Sequence, residues 1–168
     1  MSLRYRIEPK WDVTEFYHLD YFLTTHKDYD LVDKYISCGH EKNHMTLYNC
    51  QEPSYMPTFL NDYVKLKFHF LNNIAVAVNL FKPGKYLPVH TDPLSTYTKI
   101  YDVKIEKIVR YILMLEDSSP GQIIQIENDC FGKWQAGDCF GWRGPQPHAF
   151  YNFSMKDRYA IQVTGSVD

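Results

Sequence analysis

His90-Thr91-Asp92 sets an imidazole and a carboxylate two residues apart, on one side of an extended chain. Pro93 biases Asp92 toward extended backbone, which preserves that relation. Fifty-eight residues after His90, His148 opens a β-rich segment behind Arg143-Gly144-Pro145-Gln146-Pro147. Two imidazoles and one carboxylate can grip a metal from one face, the ligand set that non-haem iron(II) sites use. Such a set leaves three adjacent coordination positions, two for a bidentate co-substrate and one for dioxygen. A His-x-Asp pair alone occurs by chance in many chains, and its weight here comes from its company, His148 and Arg158.

Arg158 stands ten residues after His148, at the start of the last β-rich segment. A hairpin of 148–153 with 158–164, centred near Met155, would set Asn152 opposite Arg158 and His148 four residues further along. Four residues at ~3.3 Å each separate the two backbones by roughly 13 Å. The arginine side chain covers part of that gap, and a five-carbon dicarboxylate fits the rest. One end would chelate the metal. The other would meet the guanidinium fork, which matches a carboxylate bidentately.

These residues need strands to position them. From about residue 72 the pattern is β-rich: 74–81, 86–91, 105–115, 122–127, 131–134, 138–142, 148–153 and 158–164, separated by Pro- and Gly-containing turns. Eight short strands without a helical period between them predict an antiparallel jelly-roll. Residues 1 to about 66 read as mixed and largely helical. Asp12 or Thr14 caps a helix through Leu23, 28–36 forms a second ended at Cys38-Gly39, and Pro57 begins a third through Leu66. No repeat or low-complexity linker divides the chain, so one domain is expected over 1–168. Its parts would be a helical or mixed support, 1–71, and a catalytic β-core, 72–168.

With these residues the chain resembles the 2-oxoglutarate/Fe(II)-dependent dioxygenase superfamily, whose shared element is a double-stranded β-helix with a His-x-Asp…His triad and a basic residue on its last strand. Three stretches within about 74–165 carry the likeness. Asn79-Leu80-Phe81-Lys82-Pro83-Gly84 with His90-Thr91-Asp92 is similar to the first ligand segment of AlkB-like and prolyl 4-hydroxylase-like members. Trp134-Gln135-Ala136-Gly137-Asp138, leading through Trp142 to Pro147-His148-Ala149, resembles the hairpin before the distal histidine. Asn152 and Arg158-Tyr159-Ala160-Ile161 resemble the end of the motif.

The resemblance implies that His90, Asp92 and His148 bind Fe(II), that Arg158 binds the far carboxylate of 2-oxoglutarate, and that Asn79 contacts the same co-substrate. It implies an enzyme that hydroxylates an unactivated C–H bond while 2-oxoglutarate and O2 become succinate and CO2. A protein or amino-acid side chain is the expected substrate. An AlkB-like nucleic-acid substrate is one alternative, and a cupin-like metal-binding or structural protein without the reaction is another. Two departures feed the latter. Phe81 stands where many members have a tyrosine, and Ala160 where Ser or Thr is common. Two hydroxyls that assist the distal carboxylate are thereby missing, with Tyr86, Tyr111 and Thr164 as candidate replacements.

Other residues invite plainer readings. Cys38, His40, His44 and Cys50 are zinc-ligand types, but their spacing matches no usual finger or knuckle, so loop residues are the default. Lys99, Lys104 and Lys107 with Tyr97 and Tyr101 form either a solvated loop or a lid over substrate. Trp134 and Trp142 read as core or pocket wall. Net charge is −2 over 168 residues, with no basic stripe, which counts against nucleic acid as a partner. The longest apolar runs are strand-sized and the first residues do not lead into a signal-peptide pattern, so neither membrane nor export is expected. Four cysteines in a chain this long are read as reduced thiols in the cytoplasm.

Overall fold

The computed structural model describes residues 2–26, 28–50 and 58–168. Eleven strands among them form two sheets. The strands are β1 (Leu3–Arg6), β2 (Phe22–Thr25), β3 (Thr46–Cys50), β4 (Asn72–Phe81), β5 (Lys85–His90), β6 (Ile108–Met114), β7 (Gln122–Ile126), β8 (Asp129–Phe131), β9 (Asp138–Arg143), β10 (His148–Asn152) and β11 (Arg158–Ser166). The larger sheet runs β1-β9-β6-β11-β4-β3-β2 and the smaller β5-β10-β7-β8, with every pairing antiparallel. All eight expected strands are present, with ends moved by up to three residues.

Alternation in the central strands builds two cores. On β6, Ile112 and Met114 face the smaller sheet and pack with Phe81, Leu87, Ile124, Phe140 and Phe150. Val109, Tyr111 and Leu113 point the other way, as a period of two demands. That outer face is covered by Phe16 and by α2 (Thr58–Lys67), which contributes Val64, with the following Phe68 fully buried. Burying one such aromatic contributes about 1.5–3 kcal/mol.

The N-terminal part is mixed, with more strand than the largely helical reading expects. Only a 3-10 turn at Val13–Phe16 forms where a helix to Leu23 was expected, capped by Asp12 in a capping box with Glu15. The chain then enters β2, and β1, β2 and β3 extend both edges of the larger sheet. These strands are four or five residues long, too short to show a period. The second helix is found as α1 (Tyr29–Ser37), with Asp28 accepting from Leu31 N–H as N-cap. α2 matches the third, while Pro57 lies outside the described residues.

A helix also appears where none was expected. α3 (Ser95–Tyr101) follows β5, entered through Leu94 and left through Asp102, both in the left-handed region. The Tyr97 hydroxyl anchors it, donating to the carbonyls of Asn73 (2.7 Å) and Asn72 (3.3 Å).

Candidate metal centre

β5 and β10 are neighbours in the smaller sheet, and their register sets His148 directly opposite His90. A bulge between His148 and Phe150 adjusts the pairing there, a device that re-aims side chains. The two rings lie 4.3 Å apart between centroids. Asp92, two residues beyond the end of β5, turns its carboxylate to both. Oδ1 is 3.5 Å from His90 Nε2, and Oδ2 is 3.3 Å from His148 Nε2. One ligand atom from each of the three lies within 4.8 Å of the others, the only such group of His, Cys, Asp or Glu among the described residues.

The donor chemistry fits a divalent ion. Each Nδ1 faces a backbone carbonyl, Pro88 O at 2.7 Å for His90 and Gln146 O at 2.9 Å for His148. A carbonyl only accepts, so both Nδ1 atoms carry a proton and Nε2, the atom that each ring turns to Asp92, is the one free to meet an ion. Ligand atoms about 2.1 Å from an ion, set at right angles, lie about 3 Å apart, close to the separations here. Burial pulls His148 below the ordinary histidine range and so favours the form that ligates. Burial pushes the Asp92 carboxyl up, but the His148 and His90 rings and the Arg110 charge outweigh it and hold it well below the usual range.

Two residues beside the triad, Arg110 and His26, were not anticipated, whereas Trp142 was expected as core or pocket wall. Arg110 on β6 donates through Nη1 to Asp92 Oδ2 and through Nε to Thr164 Oγ1 (3.0 Å). A single charge in the inward row of an apolar strand, Ile108-Val109-Arg110-Tyr111-Ile112, was the available signal, because a buried charge needs a partner. His26, just after β2, meets the His90 ring edge-on at 4.5 Å, and its Nδ1 accepts the Asp28 N–H. Nothing local marks it. Trp142 stacks on His148 at 4.1 Å, so that tryptophan is a wall of the site.

Arg158 is 3 % exposed, but it is not reached through the expected hairpin. β10 pairs with β5 and β7, whereas β11 pairs with β4 and β6, so the two strands lie in opposite sheets. Asn152, expected opposite Arg158, instead closes the turn between them. Its Nδ2 donates to Phe81 O and Lys156 O, and its Oδ1 accepts from Ser154 Oγ. Arg158 reaches across the interior, donating weakly to Ile123 O (3.3 Å) and Tyr151 O (3.4 Å) in the other sheet. Tyr151 is three residues beyond His148, about 10 Å along the strand. The guanidinium lies over Phe81 at 4.5 Å, its Nε has no acceptor, and no carboxylate pairs with it among the described residues. Burial pulls it down to about 9, leaving it charged at neutral pH.

None of the three candidate hydroxyls serves Arg158. Tyr86 lies in the cluster formed with Val32 and Met45 and bonds His40 Nδ1 at 2.6 Å. Tyr111 is packed against Phe68 on the outer face of the larger sheet, and Thr164 receives Arg110. Asn79, between β3 and β11, is buried and donates to Asn49 Oδ1, which in turn lies beside Thr24. Of the four possible zinc ligands, Cys38 is exposed and Cys50 buried, His40 is held by Tyr86, and His44 lies 3.7 Å from Glu41.

No family model and no curated protein matches the sequence. Among solved structures, the fold is similar to a Pseudomonas putida prolyl-4-hydroxylase, with TM-score 0.51 and 14 % identity, covering 93 % of this chain and 97 % of that one. A predicted oxalate decarboxylase from Thermotoga maritima aligns with TM-score 0.44 at 13 % identity, over 73 % of this chain and 82 % of its own. No helix among the described residues is long and apolar enough to cross a membrane. The chain has the double-stranded β-helix fold, with a His-Asp-His cluster between its sheets.

Proposed function

We propose that this protein is an Fe(II)- and 2-oxoglutarate-dependent oxygenase that hydroxylates an unactivated C–H bond of a protein or amino-acid side chain. The observation that carries the reading is Arg158, a buried guanidinium without a counter-charge among the described residues, in the same interior as the triad. A buried, unpaired charge is costly, and an anionic ligand removes the cost. The Pseudomonas putida neighbour, by its name a prolyl-4-hydroxylase, is compatible with this chemistry.

His90, Asp92 and His148 would hold the iron. When bound, iron supplies dioxygen activation coupled to conversion of 2-oxoglutarate and O2 into succinate and CO2. The chain's own contribution is preorganisation. Pro88 O and Gln146 O fix both imidazole tautomers, so neither ring must turn to ligate. Arg110 occupies one carboxylate oxygen of Asp92 and leaves the other for the ion. Arg158 would receive the far carboxylate, with Phe81 and Phe150 excluding water around it.

Anaerobic visible absorption with Fe(II) and added 2-oxoglutarate tests this. A metal-to-ligand charge-transfer band is expected in wild type and not in His90→Ala. Arg158→Gln should raise the 2-oxoglutarate concentration needed while iron still binds. Iron binding without a band would favour the second reading, a cupin-like metal-binding protein. That reading draws on Phe81 and Ala160 standing where hydroxyl-bearing residues are common, with none of Tyr86, Tyr111 and Thr164 turned to Arg158 in their place.

A further inference from the structure

A cavity of about 470 Å³ opens beside Asp92, between α3 and the inner faces of β4 and β11. Its polar and apolar parts are separate. Ala75 and Ala77 of β4 contribute small side chains, Tyr97 and Ile100 of α3 contribute apolar surface, and Gln162 of β11 contributes an amide. The register sets Gln162 opposite Ala77 and Ile112, on the same inward face as Arg158 and Ala160. Small residues beside it leave the amide room.

Two features restrict what can enter. The lining carries two formal charges, Asp92 and Arg110, and these pair with each other. A ligand with its own charge would be partly desolvated here without a partner, which disfavours it against an uncharged one. The Gln162 amide, in contrast, makes no hydrogen bond among the described residues, although it is half-buried. It offers a donor and an acceptor side by side, the complement of the N–H and C=O that one residue of an extended peptide turns to the same side. The rim is apolar and exposed, with Ile100 66 % and Tyr101 37 % accessible, which suits a chain that continues beyond the cavity.

We infer that this cavity recognises a peptide segment that presents an uncharged side chain toward Asp92, with Gln162 bonding the peptide amide. The inference deepens the oxygenase reading and rests on it for the identity of the cavity as a substrate site. It favours polypeptide over free amino acids, whose ammonium and carboxylate groups would find no partners, and over phosphodiesters.

The test is binding by the full chain, 15N-labelled and mixed with Zn(II), without 2-oxoglutarate. The probes are capped peptides, acetyl-Gly-Xaa-Gly-amide, with Xaa as Pro, Leu, Asn, Asp or Lys. Peptides with uncharged Xaa should shift the Gln162 side-chain NH2 and the α3 amides. Asp and Lys peptides, free amino acids and a short single-stranded DNA should shift them at least about tenfold more weakly. Gln162→Leu should weaken the uncharged peptides by about tenfold, the worth of one unsatisfied buried amide, with the rest of the spectrum unchanged. Gln162→Glu should turn the preference toward Lys. Peptides that leave the cavity unperturbed, equal binding by charged probes, or equal affinity of Gln162→Leu would overturn the inference. Because the readout needs neither iron nor 2-oxoglutarate, it can succeed where the charge-transfer test fails, and the reverse.

Discussion

Arg110 and Asp92 meet as an ion pair between β6 and the segment beyond β5, with Thr164 of β11 bracing the guanidinium from the side. The pair ties the larger sheet to the proposed ligand that lies outside any strand. Without Arg110, the carboxylate would be oriented only by two imidazoles that compete for its oxygens.

Arg110→Met should therefore keep the fold and weaken metal binding. Partners that orient metal ligands are worth about tenfold to a hundredfold in affinity. Titration with Mn(II), followed by calorimetry, reads the change. An unaltered affinity would show that Asp92 is held by something else.

The metal-free protein should lose stability as pH falls below about 6.5. Burial holds His148 and, less deeply, His26 below that value in the folded chain, while both titrate normally when unfolded. On the acid side the unfolded chain thus binds more protons, and stability declines by up to about 1.4 kcal/mol per pH unit for each extra proton. Urea unfolding between pH 5 and 8 should show the decline, reduced in His148→Gln. A flat profile in wild type would contradict it.

Phe68→Ala should destabilise the chain by about 3–5 kcal/mol, since Phe68 is fully buried between the larger sheet and the end of α2. The His-Asp-His cluster lies on the other face of that sheet. Mn(II) affinity of the folded fraction should match wild type, and a parallel loss of both would mean that the two faces are coupled.

Gly137 is a backbone requirement. It has φ +92°, and a Cβ there would lie 2.1 Å from Ile7 O, whose residue donates its N–H to the Gly137 carbonyl. Gly137→Ala should lower stability by more than about 1 kcal/mol by prying the end of β1 from β9. A thermal midpoint equal to wild type would refute this.

The triad could be read from residue type and strand alternation because each candidate ligand sits in or beside a strand whose local pattern is unambiguous. The partnership of β10 and β11 could not. A five-residue connection can close a hairpin or step between facing sheets, and the choice depends on which strands already flank each one. α3 was hidden for a related reason: seven residues make a marginal helix in isolation, and its hold comes from a Tyr97 hydroxyl bonded to carbonyls more than twenty residues away. Arg110 and Gln162 were visible as polar residues in apolar strands, but their partners, or lack of them, emerge only from the pairing.

That β10 and β11 belong to different sheets makes the barrel a gauge. The span from His148 to the Arg158 guanidinium is fixed by two walls and the aromatic packing that spaces them, with no flexible hairpin to stretch. An acid gripped at both ends, as proposed, would therefore be measured for length. 2-Oxoglutarate should outperform oxaloacetate and 2-oxoadipate, one methylene shorter and longer, in producing the charge-transfer band. Equal response to all three would mean that the guanidinium does not grip the far end.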